Sequence, residues 1–389
     1  MKLFDVYPLL LVSPVKALGS RLWDDAGNEY LDLYGGHAVI SIGHSHPHYV
    51  RSITAQLDQI GFYSNSVHIP QQKKLSYLLG VMSGYEDYNL FLCNSGAEAN
   101  ENAMKLASFH TGRKKIISFA KAFHGRTSAA VAATDDKSIQ APINENENMI
   151  ICEWENQTVL ENVFLQHEIA AVIIEGIQGV AGVRVPSSPF LKKIEQLCKK
   201  NRAMMICDEI QSGYGRSGKF FAHQHANVKP DIITVAKGMG NGFPVAGVLI
   251  HPEIQAKYGL LGTTFGGSHL ACSAANAVLE VIEQENLINH AAQIGEYMNN
   301  ELKSVPGIKE VRGLGLMIGI ELYESSAEVR MQLLNKYHIF VGSASNKNTL
   351  RILPALNLSK EDANFFLDAF RNIMNEKTKS IKNSELVLS

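Results

Sequence analysis

The chain has 389 residues, 46% of them apolar and 19% charged, and its formal net charge is −2 at neutral pH. That length carries a large core, and the composition is that of an ordinary soluble globular protein, not a disordered or fibrous one. The near-neutral balance argues against nucleic acid as the partner and favours small molecules, and no run approaches the roughly 20 apolar residues of a membrane span.

The N-terminal MKLFDVYPLLLVSP has a short apolar run that Asp5 and Pro8 interrupt, with no small-residue cleavage site after it, so no secretory leader is expected. RLWDDAGNEYLDLYGG reads as a strand, a DAGN turn and a second strand. GHSHPH (43–48) alternates histidines as metal ligands can, but its Gly and Pro mark a turn and no acid or cysteine adjoins it in sequence, so no metal is expected. The five cysteines, Cys93, Cys152, Cys198, Cys207 and Cys272, are scattered and lack CxxC spacing, which indicates no disulfide frame and fits a reducing cytoplasm.

From residue 89 onward, apolar runs of strand length alternate with helix-length segments. The strands are NLFLCN (89–94), KKIISFA (114–120), AAVIIEG (170–176), RAMMICDEI (202–210), DIITVA (231–236) and VAGVLI (245–250). The helical stretches are AEANENAMKLASFH, SSPFLKKIEQLCKKNR and HLACSAANAVLEVIEQENL. Such alternation predicts an α/β fold whose mostly parallel sheet is covered on both faces. After about residue 285 come helices and short strands around VRGLGLMIGIEL and LRILPALNL. A large domain over 56–285 is therefore expected, with a smaller α+β domain from 1–55 and 286–389. The tail KTKSIKNSELVLS (377–389) is expected to be loosely held.

Open α/β sheets bind ligands beyond the carboxyl ends of their strands, where Glu175, Asp208 and Lys237 fall. Asp208 and Lys237 admit a structural reading as an ion pair. Lys237, however, follows the apolar DIITVA and precedes GMGNG, at a buried strand end where backbone can approach a ligand. A desolvated lysine loses its proton readily and can form a Schiff base, which points to pyridoxal phosphate. Such a cofactor needs a phosphate cradle, an acid for its ring nitrogen and a flat group on its ring. NSGAEANENAMKLA offers the N–H groups of Gly96 and Ala97 at a helix start. Asp208 supplies the acid, Gln211 follows at a distance suited to the ring hydroxyl, and Phe123 offers a stacking face, although a lone Phe also suits a core. GYGRSG (213–218) formally matches GxGxxG, but it opens no helix directly after a strand and lacks a ribose-binding acid.

NSGAEANENAMKLA, AFHGRT, CDEIQSGYGRSGKFFA, PDIITVAKGMGNGFPVAGV and TTFGG, in this order, resemble the class III pyridoxal-phosphate aminotransferases. Within that class they are most similar to its acetylornithine and succinylornithine group. YLDLYGGHAVISIGHSHP and LRILPALNLSKED extend the similarity over nearly the whole chain. The resemblance implies a fold-type-I enzyme, a homodimer with active sites shared between subunits. It makes Lys237 the cofactor lysine, Asp208 the acid at the ring nitrogen and Gln211 a neighbour of the ring hydroxyl, with Phe123 on the ring. Gly96 and Ala97 would hold the phosphate, joined by Thr264 from the partner subunit. Arg126 would take the donor's carboxylate with Thr263 near it, and Arg351 the carboxylate beside the reacting carbon of 2-oxoglutarate.

The implied reaction moves the δ-amino group of N-acetyl- or N-succinyl-ornithine to 2-oxoglutarate in arginine biosynthesis, giving the N-acylglutamate semialdehyde and glutamate. Another ω-amine donor (ornithine, γ-aminobutyrate or lysine) and an aminomutase are the alternatives. Two positions depart from the pattern. The family's EPIQGEGG reads EGIQGVAGV here, so Glu175 keeps the first acid and Val180 replaces the second, the usual partner of the arginine matched to Arg351. His37, in GGHAV, stands where an aliphatic residue is more usual, either touching the substrate mouth or packing.

Overall fold

A computed structural model describes the backbone of residues 1–388 and the side chains of residues 1–377. The expectation for the 377–389 tail therefore lies outside the described side chains, apart from Lys377. The chain opens with β1 (Pro14–Leu18), β2 (Arg21–Asp24) and β3 (Glu29–Asp32), then a short turn α1 (Gly35–Ala38) and helices α2 (Pro47–Gln59) and α3 (Pro70–Ser83). The alternating region follows as β4 (Asn89–Cys93), α4 (Gly96–Thr111), β5 (Lys115–Phe119), α5 (Ser128–Ala132), β6 (Met149–Cys152), α6 (Gln157–Gln166), β7 (Ile169–Glu175), α7 (Ser188–Asn201), β8 (Met204–Asp208), β9 (Ile232–Val235) and β10 (Ala246–Ile250). The C-terminal part comprises α8 (His269–Gln284), α9 (Leu287–Lys303), β11 (Ile308–Leu314), β12 (Met317–Leu322), α10 (Ala327–Tyr337), β13 (Ile339–Phe340), β14 (Gly342–Ser343), β15 (Thr349–Ile352) and α11 (Lys360–Leu388).

Seven strands form the central sheet in the order β4-β10-β9-β8-β7-β5-β6. β10 runs antiparallel to both its neighbours and the other pairings are parallel. All six expected strands are in it. The seventh, β6, was not anticipated, because it is a four-residue edge strand with partly exposed positions and therefore lacks the apolar run of its buried neighbours.

Alternation of side chains fixes which residues can reach the site. Ala171, Ile173, Ile206 and Ile232 pack with Ala99, Ala103 and Ala107 of α4. Val172, Ile174, Met205 and Cys207 pack with Phe190, Leu191 and Ile194 of α7. With a period of two, Glu175, Asp208 and Thr234 continue the α4 side of the sheet just where the apolar rows end.

Two smaller sheets flank this body, in the orders β1-β2-β3-β13 and β11-β12-β15-β14. β13 pairs in parallel with β3, so the two ends of the chain share one sheet. The GHSHPH turn lies beside acids from distant sequence: His44 bonds to Asp32 at 2.9 Å, His46 to Glu285 at 2.8 Å and His48 to Glu280 at 2.6 Å. Each histidine takes a different carboxylate, which anchors the start of α2 to α8.

Candidate active site

The carboxyl ends of β7 and β8, the loop after β9 and the start of α4 surround a cavity of about 420 Å³. Of the sequence-predicted residues, Gly96, Ala97, Phe123, Arg126, Asp208, Gln211 and Lys237 line it. Thr263, Thr264 and Arg351 do not.

At the start of α4, Ser95 caps the helix by accepting from the N–H of Glu98 at 3.2 Å. The N–H groups of Gly96 and Ala97 belong to the first turn and have no acceptor within the helix. A side chain at 96 is excluded, since a Cβ there would sit 2.9 Å from Ile210. Backbone is therefore exposed to the cavity, with the positive end of the helix dipole behind it.

Asp208 is 4% exposed and held on three sides. Its Oδ2 accepts from Asn100 Nδ2 at 2.7 Å and lies 2.7 Å from His124 Nδ1, and its Oδ1 accepts from the N–H of Ile210 at 3.1 Å. Asn100 also donates to the carbonyl of His124 and accepts from the Thr234 hydroxyl. Nε2 of His124 and Oε1 of Gln211 are buried without partners. His124 and Asn100 lay inside the quoted motifs, yet no role was read for them. The signal was the position of Asn100 one turn into α4, under the strand ends that alternation turns toward that helix.

Lys237 begins a 3-10 turn directly after β9, with φ of 44°. This left-handed backbone is costly for a residue with a Cβ and aims the side chain off the strand line into the cavity. Burial lowers the pKa of its ammonium, Arg351 lowers it further, and Asp208 and Glu175 work the other way. Lys237 and Asp208 form no direct ion pair: the acid is taken by Asn100 and His124.

Arg351 lies at the centre of β15, opposite Gly319 of β12 and Gly342 of β14. It is 5% exposed, and its Nε donates to the Ser343 carbonyl at 2.6 Å. Its guanidinium lies 5.9 Å from the Tyr34 ring centre, and that ring lies 4.6 Å from the ring of His37. His37 is exposed, and burial of part of its ring, then Arg351 and Lys237, pull its pKa below 6.5. Its carbonyl accepts from Gln211 Nε2 at 3.2 Å, so it holds a cavity residue through its backbone. Val180 lines the cavity, and its carbonyl accepts from the N–H of Ser345. Thr263 Oγ1 accepts from Asn94 Nδ2 at 3.1 Å, whereas Thr264 is exposed.

The sequence profile of class-III aminotransferases matches residues 5–374. The chain belongs to this family. Class-III aminotransferases depend on pyridoxal phosphate, and the site fits that group. A helix start cleared of side chains, a half-buried aromatic ring, a thrice-held carboxylate and a lysine driven toward its neutral form meet in one cavity. An acetylornithine aminotransferase of Nitrosomonas europaea is 38% identical over 372 residues, 92% of this chain and 94% of that one. The fold of this aminotransferase superimposes on an ornithine aminotransferase of Toxoplasma gondii, whose structure has partial occupancy of PLP at its active site. The TM-score is 0.88 at 28% identity, over 96% of this chain and 94% of that one. An acetylornithine aminotransferase of Elizabethkingia anophelis gives a TM-score of 0.83 at 28% identity, over 95% of each chain.

Proposed function

We propose that this aminotransferase transfers the δ-amino group of N-acetyl- or N-succinyl-ornithine to 2-oxoglutarate, within arginine biosynthesis. The observation that carries the reading is that two arginines, Arg126 and Arg351, belong to the surroundings of Lys237. Arg126 is exposed on the cavity wall, and Arg351 is buried close enough for its charge to act on the lysine. An N-acylornithine carries one carboxylate far from its reacting amine, which suits Arg126. 2-Oxoglutarate carries a second one beside its reacting carbon, which suits Arg351. The names of the relatives support the same donor.

Pyridoxal phosphate, when bound, supplies the electron sink for the pair left as a proton leaves the amine-bearing carbon. Gly96 and Ala97 would receive its phosphate, and Phe123 would cover its ring. Asp208, fixed by Asn100 and His124, would hold a proton on the ring nitrogen. Lys237 Nζ, whose charged form burial disfavours, would take the proton from the δ-carbon and return it across the same face. Arg126 and Arg351 orient the two substrates in turn, so that each reacting carbon stands at Lys237.

We further propose a cytoplasmic homodimer in which Thr264 of one protomer serves the phosphate site of the other. In favour of this are the exposure of Thr264 and the exposed aromatic pair Phe62 and Phe265, 5.4 Å apart on the same surface. The similarity to an ornithine aminotransferase favours free ornithine as the second reading. A donor panel with 2-oxoglutarate, following glutamate release, separates the two. N-acylornithines should react at least tenfold better than ornithine, and the reverse order would overturn the proposal.

A further inference from the structure

GYGRSG (213–218), the segment that formally matches a dinucleotide loop, lies against the C-terminal elements. Gly218 has φ of 82°, and a Cβ there would lie 2.9 Å from Ala292 of α9. A Cβ at Gly315, in the turn between β11 and β12, would lie 2.6 Å from the Arg216 carbonyl. Between these close approaches Arg216 is 2% exposed. Among the described residues, the arginines in ion pairs are Arg21, Arg312 and Arg371, so Arg216 is buried without one. Asp32, the acid whose charge reaches it, accepts instead from the N–H groups of Tyr34 and Gly35 and bonds to His44. The guanidinium is satisfied by main chain. Nη1 donates to the carbonyls of Leu316 at 3.1 Å and of Pro354, and Nη2 to the carbonyl of Ile40 at 3.3 Å. The Leu316 N–H returns a bond to the Arg216 carbonyl at 2.9 Å.

Each acceptor belongs to a wall around Arg351. Pro354 follows β15, the strand that carries Arg351. Leu316 leads into β12, whose Gly319 lies opposite Arg351. Ile40 follows the α1 turn, beside which the Tyr34 ring lies 5.9 Å from the Arg351 guanidinium. A Cβ on Gly342, the residue opposite Arg351 on its other side, would strike that same ring. Main-chain bonds tie these walls together, from the Leu353 N–H to the Leu33 carbonyl at 2.8 Å and from the Leu356 N–H to the Ser41 carbonyl at 2.7 Å. Along the chain, Arg216 closes the loop that starts at Asp208 and carries Gln211, both of which line the cavity. A planar guanidinium offers donors in several directions and so serves carbonyls from separate segments, which the point charge of a lysine does less well.

We propose that Arg216 is a positioning residue for the acceptor: it sets where Arg351 stands relative to the Asp208–Gln211 loop, and so governs affinity for the second carboxylate of 2-oxoglutarate. The inference rests on the reading of Arg351 as the group that takes this carboxylate. Arg126 is held apart from this joint. Its neighbour Thr127 donates to Glu101 of α4 at 2.9 Å, and Glu101 also accepts from the N–H of Ala130 at 3.0 Å. The donor's carboxylate is therefore read independently of Arg216.

The test is single-turnover kinetics of each half-reaction in the holoenzyme, with the best donor of the panel above and with 2-oxoglutarate. Arg216→Gln should raise the apparent Kd for 2-oxoglutarate roughly tenfold or more and that for the donor less than about threefold, because a binding group misplaced by about an ångström costs on that scale. Arg216→Lys, which keeps the charge and part of the bonding, should fall between Arg216→Gln and the parent protein. A merely structural role would lower the folded fraction for both substrates alike and give no such split. Equal losses for both substrates, or unchanged 2-oxoglutarate affinity in folded Arg216→Gln, overturns the inference. Arg351→Gln tells the two readings apart. If it leaves 2-oxoglutarate affinity unchanged, the acceptor reading fails and this inference with it; if it weakens affinity and Arg216→Gln does not, only this inference fails. If Arg216→Gln does not fold, hydrogen exchange in the parent holoenzyme at saturating glutarate, an unreactive dicarboxylate, decides the matter. Exchange should slow in residues 33–42, 213–218 and 314–317 together with 350–356. Slowing confined to 350–356, or none, overturns the inference.

Discussion

Asn100 Nδ2 donates to Asp208 Oδ2 at 2.7 Å, from the second turn of a helix to the end of a strand 108 residues away. The same amide group bonds to the carbonyl of His124, so one residue ties the acid, the Phe123 loop and α4 together. Asp208 is therefore both charged partner and fixed object, and the two roles separate by mutation. Asp208→Asn keeps the shape and removes the charge. Turnover should fall by roughly a hundred- to a thousandfold, in the range of a lost electrostatic stabiliser. Asn100→Ala keeps the charge and removes its support. It should destabilise the protein by about 1–3 kcal/mol, because buried partners are left unsatisfied, and lower kcat less than Asp208→Asn does. Denaturant unfolding and steady-state kinetics read the two effects, and near-normal turnover in Asp208→Asn would discard the role given to the acid.

Lys237 holds a left-handed backbone at φ of 44° without glycine's freedom. Replacing it by Ala or by Gly removes the amine equally, so both variants should be inactive and neither should give a borohydride-fixed cofactor adduct at 237. They should differ in stability. Cofactor-free Lys237→Gly should be more stable than Lys237→Ala by about 1 kcal/mol, since only the glycine is relaxed in that conformation. Equal denaturation midpoints would show that the turn carries no strain.

Arg126 faces the cavity from its exposed side. Arg126→Ala should weaken use of N-acylornithine by about ten- to a hundredfold, the cost of roughly 1.5–3 kcal/mol for a lost charge-assisted bond. Diamines without a carboxylate should lose far less. Equal losses for both donor types would mean that Arg126 supports the site instead of reading the donor.

These sites were unequally legible in the sequence. Lys237 and Asp208 stood out because each ends an apolar run at a strand terminus, a one-dimensional signal for a three-dimensional edge. Asn100 and His124 carried no such mark, because their function depends on how α4 packs under the sheet. The same holds for the GHSHPH turn, whose acidic partners Glu280 and Glu285 lie more than 200 residues along the chain. Arg351 was legible only through the resemblance. Its burial follows from β15 being paired on both edges, by β12 and β14, which local pattern does not specify. β6 escaped because an edge strand of four residues needs no continuous apolar run.

Val180 turns an apolar side chain into the cavity where the resemblance leads one to expect an acid for Arg351. Val180→Glu would offer Arg351 a permanent counter-charge. A donor that brings only a methylene to that place would find the arginine already balanced, whereas glutamate would have to displace the new acid. The variant should therefore shift preference from glutamate toward N-acylornithine, because specificity is a difference of two affinities and the acid penalises only one. The shift should be on the order of ten- to a hundredfold, comparable to one charged hydrogen bond. In the parent protein the same logic predicts comparatively tight 2-oxoglutarate binding and inhibition by its excess, since among the described residues the arginines in ion pairs are Arg21, Arg312 and Arg371, not Arg351. Single-turnover kinetics of both half-reactions in the two proteins give the ratio directly. An unchanged ratio would show that the carboxylate at 180 does not reach Arg351, and that the arginine is balanced from elsewhere in the site.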